Sequence, residues 1–149
     1  MRKSKTWREK LEKAQEPKVV ETPKGKMLVP KPLDVDAMLR RIEKGKIITL
    51  NQLRAKLAKD FCADYTCPLT TGIFVWIAAE TAEEDLKAGR KEVTPYWRII
   101  RNDGSLNEKF PGGAEAQAAR LKKEGHAVLP AQDKKPPKVK DYEKVMQKL

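Results

Sequence analysis

The groups able to do covalent or metal chemistry are few in this chain of 149 residues, which carries two cysteines and one histidine. Cys62 and Cys67 are separated by four residues, but a zinc site needs about four ligands and His126 is the only imidazole available, so no metal centre is expected. Cys67 stands just ahead of an expected helix N-terminus, a position that lowers a thiol pKa, yet no His or Lys adjoins it to complete a nucleophile. The other group of interest is the sequence Pro95-Tyr96-Trp97-Arg98. A tyrosine phenol, with a reference pKa of about 10, is a poor nucleophile near neutral pH, and the indole beside it cannot accept a proton.

The elements that must position these groups can be read from pattern. Trp7, Leu11 and Ala14 have helical spacing in a short N-terminal helix within 1–16. Pro17, Pro23, Pro30 and Pro32 then suggest an extended linker. A helix capped by Asp34 or Asp36 should run to about Lys44, ahead of Gly45 and a short strand at Ile47–Ile48. Thr49 is expected to cap the next helix, with Leu50, Leu53, Leu57 and Ala58 as its buried stripe. After a loop over 61–67, Pro68 suits the first turn of another helix reaching about Glu80. Two helices so joined form a helix-turn-helix candidate, for which a buried helix pair with no DNA role is the alternative. A polar stretch, 80–92, precedes a strand at Trp97–Arg101, and Asn102-Asp103-Gly104 signals a hairpin turn, together a wing-like element. Gly112-Gly113 opens a helix from about Ala114 to Glu124, stopped by Gly125. A lysine-rich tail closes the chain.

Charge points to a polyanionic partner. The 32 Lys and Arg outnumber 21 Asp and Glu, for a net charge of +11. Residues 1–33 carry a net +6 and 133–149 a net +3, leaving +2 in 34–132. Attraction to phosphate should therefore be mainly a function of the two ends, with solvated, solubilising tails as the plainer alternative. Lys87, Arg90, Lys91, Arg98 and Arg101 cluster near the wing strand, where long basic side chains suit phosphate contact, while Glu80, Glu83, Glu84 and Asp85 are expected to face away from it. No apolar run approaches a bilayer span and no secretory signal is visible, which predicts no membrane association and a cytoplasmic, non-secreted protein, nucleoid association being compatible with the charge.

From Pro95 to Gly125 the chain resembles the alkylguanine-DNA alkyltransferases. That family has a Pro-Cys-His-Arg-Val strand, an Asp-Gly-Ser-Leu turn, a Gly-Gly pair and a helix ending Glu-Gly. The matching residues are Pro95 to Ile99, Asp103 to Leu106, Gly112-Gly113 and Glu124-Gly125. Upstream, GKIITLNQLRAKLA resembles the family's first helix-turn-helix helix, so the likeness spans roughly 34–129. It implies an α/β, mostly α, winged helix-turn-helix domain over 34–132, with a basic N-terminal arm (1–33) and a lysine-rich tail (133–149).

The resemblance further implies where function has been altered. Tyr96 stands at the acceptor-cysteine position and Trp97 at that of the activating histidine, so Glu124 has lost its relay partner. Pro95, Tyr96, Trp97 and Glu124 form an altered alkyl pocket. This is the pattern of the alkyltransferase-like branch, which usually has Trp-His there and binds alkylated guanine without repairing it. The family's phosphate-contacting tyrosine is Leu50, and its gap-filling arginine falls nearest Thr71 or Gly72; Phe74 or Trp76 could wedge instead, with core packing as the alternative. The implied DNA contacts are Thr49, Leu50, Asn51, Thr70, Thr71, Gly72, Arg98 and Arg101. The expectation is a non-enzymatic, cofactor-free binder of duplex DNA, alkylated or not, acting in DNA repair or maintenance. Two other readings stand beside it: methyl transfer to Cys62 or Cys67, and an RNA-binding accessory factor.

Overall fold

The computed structural model describes residues 6–12, 16–132 and 134–149, a mixed α/β fold of several helices and three small sheets. Helix α1 (Trp7–Leu11) is capped by Thr6, and Leu11 is buried. Ala14, expected on the same face, lies outside the described residues. Strands β1 (Lys18–Thr22) and β2 (Gly25–Val29) form an antiparallel hairpin where a linker was expected. Pro23 sits in its turn rather than in a strand, and Leu28 is wholly buried, so this segment is part of the sheet and the core.

Helix α2 (Pro32–Arg40) is capped three residues before Asp34 and ends about four residues before Lys44, so it starts and stops earlier than expected. Lys31 is its N-cap, and neither aspartate caps it. Asp36 is buried instead, accepting from Thr94 Oγ1 at 2.6 Å and Arg40 Nε at 2.9 Å. Strand β3 (Ile48–Thr49) leads into α3 (Leu50–Asp60), which has the expected cap. Thr49 Oγ1 accepts from Gln52 N, and Gln52 Oε1 accepts from Thr49 N, a reciprocal capping box. Strand β4 (Tyr65–Thr66) lies parallel to β2. Helix α4 (Pro68–Lys87) has Pro68 in its first turn. It runs well past Glu80 because the acidic stretch supplies helix-compatible side chains with partners: Glu84 accepts from the backbone N–H groups of Trp7 and Arg8, and Asp85 pairs with Arg8.

The expected wing hairpin is absent from 97–106. A 3-10 turn at Tyr96–Arg98 precedes strand β5 (Ile99–Ile100), whose partner is β3, in parallel. The Asn102–Gly104 turn does form, with Gly104 at φ +88°, but it turns the chain toward the C-terminal segment, where Ser105 bridges Lys138. Successive side chains of a strand face opposite ways. Ile48 and Ile99 accordingly enter a core with Leu39, Leu53, Val75 and Tyr96, while Ile47 and Ile100 enter a second with Leu106, Leu121 and Val139.

Helix α5 (Gly113–Lys123) begins after Gly112 at φ +78° and gives way to Gly125 at φ +96°, as the glycines suggested. Strands β6 (Val128–Leu129) and β7 (Lys138–Val139) pair antiparallel, and a final 3-10 turn spans Tyr142–Val145. The C-terminal lysines therefore project from a docked segment. Val139 is 1% exposed, Ile47 N donates to Val145 O, and Gln147 N donates to Ile47 O. No described helix is long and apolar enough to cross a membrane.

Candidate nucleic-acid interface

Helices α3 and α4, joined by 61–67, make the helix-turn-helix unit. Arg54 fixes the connection by donating Nε to Thr66 O at 3.0 Å, while Thr66 Oγ1 returns a bond to Arg54 O at 2.7 Å. An open groove of about 710 Å³ runs along the first half of α4, lined by Leu69, Gly72, Ile73 and Trp76 on one side and Arg101, Asn107 and Lys109 on the other. Leu69 is 73% exposed, so this face offers an apolar stripe flanked by two cations. Trp76, exposed beside Trp7 with ring centroids 4.7 Å apart, belongs to this surface, whereas Phe74 packs on the core.

The residues implied as contacts divide sharply. Gly72 and Arg101 line this groove, Leu50 lines a chamber beneath it, and Asn51 is exposed in a separate hollow beside Arg54 and Thr66. Thr49 is buried with its hydroxyl in the capping box, and Thr71, with no exposed surface, donates to Cys67 O. Thr70 is half-buried and donates to Cys67 Sγ at 3.2 Å. Asn51 N is already engaged, donating to Asn102 Oδ1 at 2.7 Å. Arg98 does not join Arg101, since the two flank β5 at opposite ends, three positions apart. Its Nε and Nη2 bond Glu124 at 2.9 and 2.7 Å, and its Nη1 donates to Ile42 O at 2.6 Å. Pattern reading passed over Leu69, Ile73 and Lys109. Leu69 and Ile73 stand four apart on α4, a spacing that marks one face but not whether it is covered.

Tyr96 is a core residue, 1% exposed, with Phe110 and Trp97 packed edge-on at 5.2 and 5.5 Å. Its hydroxyl donates to Glu83 Oε1 at 2.6 Å, and Arg120 Nη2 holds the same oxygen at 2.7 Å. Glu83, expected in a solvated stretch, is thus the partner that makes a buried phenol tolerable. Burial, then this hydrogen bond to a carboxylate, push the phenol pKa far above its ordinary value, so Tyr96 stays protonated and non-nucleophilic. Pro95, Trp97 and Glu124 line an open cleft of about 660 Å³ that Tyr96 does not line, while beyond Phe110 a chamber between Leu50, Gly72 and Val75 holds only about 50 Å³, room for a water or two.

Trp97 Nε1 donates to Glu124 Oε2 at 3.2 Å. Burial alone would raise the Glu124 pKa, but the bonds from Arg98 and Trp97 and the guanidinium charge outweigh it and hold it below the usual range. Glu124 is an ionised anchor, in contact with groups that only donate. Gln117 sets the frame: its Nε2 donates to Trp97 O and Ile99 O while its Oε1 accepts from Asn107 N. Among the described residues no three His, Cys, Asp or Glu converge as a metal-binding group. The Cys67 thiol, despite burial, is pulled below its usual pKa by Thr70 and neighbouring backbone N–H groups.

The arrangement is shared with solved structures. The S. pombe alkyltransferase-like protein ATL, in complex with DNA, superposes with a TM-score of 0.55 at 18% identity over 79% of this chain and 94% of that one. S. pombe Atl1 in complex with damaged DNA containing O6-carboxymethylguanine gives 0.52 at 20% identity over the same shares. The chain has the alkyltransferase-like fold. No family model matches the sequence, and no curated protein matches it. In this chain the helix pair, the Gly112-Gly113 turn and the end of α5 at Glu124-Gly125 form where the sequence pattern placed them.

His126 adds a testable pH response. It is 8% exposed and its Nε2 has no hydrogen-bond partner among the described residues; burial depresses its pKa below the ordinary value near 6.5, against an opposing pull from the Glu124 charge. The unfolded chain therefore binds a proton that the folded one refuses, so this contribution is complete above about pH 6.5 and is lost as pH falls through the lower folded value. Urea midpoints at pH 7.5 and 5.5 should fall further in the wild type than in His126→Phe; parallel losses would disprove the assignment.

Proposed function

We propose that this protein is a non-enzymatic binder of duplex DNA, working in DNA repair or maintenance as an alkyltransferase-like protein. The carrying observation is Tyr96. At the position where the resemblance places a methyl-accepting cysteine stands a buried phenol locked as a donor to Glu83. The likeness to a protein solved with DNA, and the cation-flanked groove on α4, support the binding half. Asn51, Gly72 and Arg101 are assigned to the interface, with Leu69, Ile73 and Lys109 added. Apolar side chains of this kind wedge between base steps in minor-groove proteins.

Fluorescence anisotropy on labelled duplex tests this reading. Arg101→Glu with Lys109→Glu should weaken binding by about tenfold or more through lost phosphate contacts; equal affinity would reject the interface. With a chamber that admits only water, O6-methylguanine and plain duplexes should differ by less than about tenfold, or 1.4 kcal/mol. A hundredfold preference would show that the chamber opens. Intact-mass analysis after incubation with methylated duplex should show no added methyl group. A gain that vanished in Cys67→Ser or Cys62→Ser would instead establish the enzyme reading.

A further inference from the structure

A second cleft, of about 660 Å³, opens where α2, α4 and α5 all end. Gly72 of the groove and Leu86 of this cleft are 14 positions apart on α4, which at 1.5 Å per residue separates the two by about 20 Å. The floor is made by Leu86, Val93, Pro95 and Trp97, whose ring carries the Arg120 guanidinium at 4.7 Å, and the rim is basic, made by Arg40, Lys44, Lys91 and Lys123. These cations come from three separate stretches of chain. Lys44, Lys91 and Lys123 are exposed and form no ion pair among the described residues, whereas Arg98 and Arg120 in the wall are held by Glu124 and Glu83. Glu92 is the remaining acid in the lining.

We propose that this cleft binds an unpaired nucleotide, with its base on the floor and its phosphate among the rim lysines. A positively charged groove combined with an aromatic-containing platform is the arrangement that takes single-stranded nucleic acid. The volume lies within the range of small-molecule sites. A bare anion fits less well. Each of the three helix C-termini brings about half a negative charge, which offsets much of the rim and leaves the floor to supply affinity. The unpaired nucleotide is either part of a strand or a free nucleotide. The site stands apart from the α3–α4 face and does not depend on the reading of that face.

The test is calorimetric titration of the full chain, with and without saturating duplex, using three probes: single-stranded oligodeoxyadenylate, AMP and inorganic tripolyphosphate. The oligonucleotide should bind with duplex already present. Lys44→Glu with Lys123→Glu should weaken it by about tenfold while duplex affinity stays within about twofold, which also reports that the variant is folded. Tighter binding of the oligonucleotide than of AMP assigns the site to a strand, and equal binding assigns it to a free nucleotide; either outcome supports the proposal. Displacement of the oligonucleotide by duplex, indifference to the charge reversal, an equal loss of duplex binding, or tripolyphosphate binding as tightly as the oligonucleotide would each overturn it.

Discussion

Glu124→Gln is expected to lower stability by about 3–5 kcal/mol in urea denaturation, the range for breaking a buried ion pair from one side. The Arg98 and Glu124 side chains are 14% and 9% exposed, and their two-point contact is the reason the charge can remain inside. Glutamine keeps the shape, and even a hydrogen bond, but leaves the guanidinium uncompensated beneath Trp97 and Ile42 O. Replacing both partners, Arg98→Met with Glu124→Leu, should be much milder, because neither charge then has to be desolvated. A loss below about 1 kcal/mol in Glu124→Gln would mean that water reaches the pair and that it does not anchor the Trp97 turn. The depressed Glu124 pKa gives this pair its own pH signature: its contribution is present above the ordinary carboxylate range and lost as pH falls through the folded value.

The second large effect is expected at Val139. Val139→Asp places a carboxylate in the apolar cluster of Ile47, Leu106 and Leu121, and should cost about 3 kcal/mol or more. Val139→Ala should cost less, in the manner of a trimmed core side chain. Lys138→Ser, next door but exposed, should stay within about 0.5 kcal/mol. The contrast separates a docked C-terminal segment from a loose basic tail, for which all three changes would be nearly silent. Docking also bears on the α3–α4 helix pair. Gln52, which closes the α3 capping box through Oε1, donates Nε2 to Gln147 O, and Gln147 in turn bonds Glu43 N and Arg41 O.

What was legible in the sequence was local. Thr49 with Gln52, Pro68, the Gly112-Gly113 pair and Gly125 act within a turn or two of themselves, and each stands where its chemistry placed it. The misread segments depend on distant partners. Residues 18–29 look like a proline-broken linker until β4, far along the chain, offers β2 a parallel edge. The segment after Pro95 looks like half a hairpin until β3 takes β5 as its neighbour. Of the site, the residue types at Tyr96, Trp97 and Glu124 were readable, but their surroundings were not. Nothing in the run Glu80–Asp85 distinguishes Glu83, which receives the phenol, from Glu84, which accepts from the first N–H groups of α1. Arg98 and Arg101, three positions apart in one basic cluster, end in different places: one in a buried pair, one on the groove.

The bridge between Ile47 and Met146 also dictates an order of events during synthesis. Nearly a hundred residues separate these partners, and the N-terminal helix likewise waits for Glu84 and Asp85 before its own N–H groups and Arg8 are satisfied. Contacts so far apart in sequence carry a large loop-closure cost and slow the approach to the native state. A nascent chain can form α3 and α4 as soon as they emerge, but Ile47 remains without its bridge partner until Met146 has also left the ribosome. The helix pair is thus assembled early and secured about a hundred residues later.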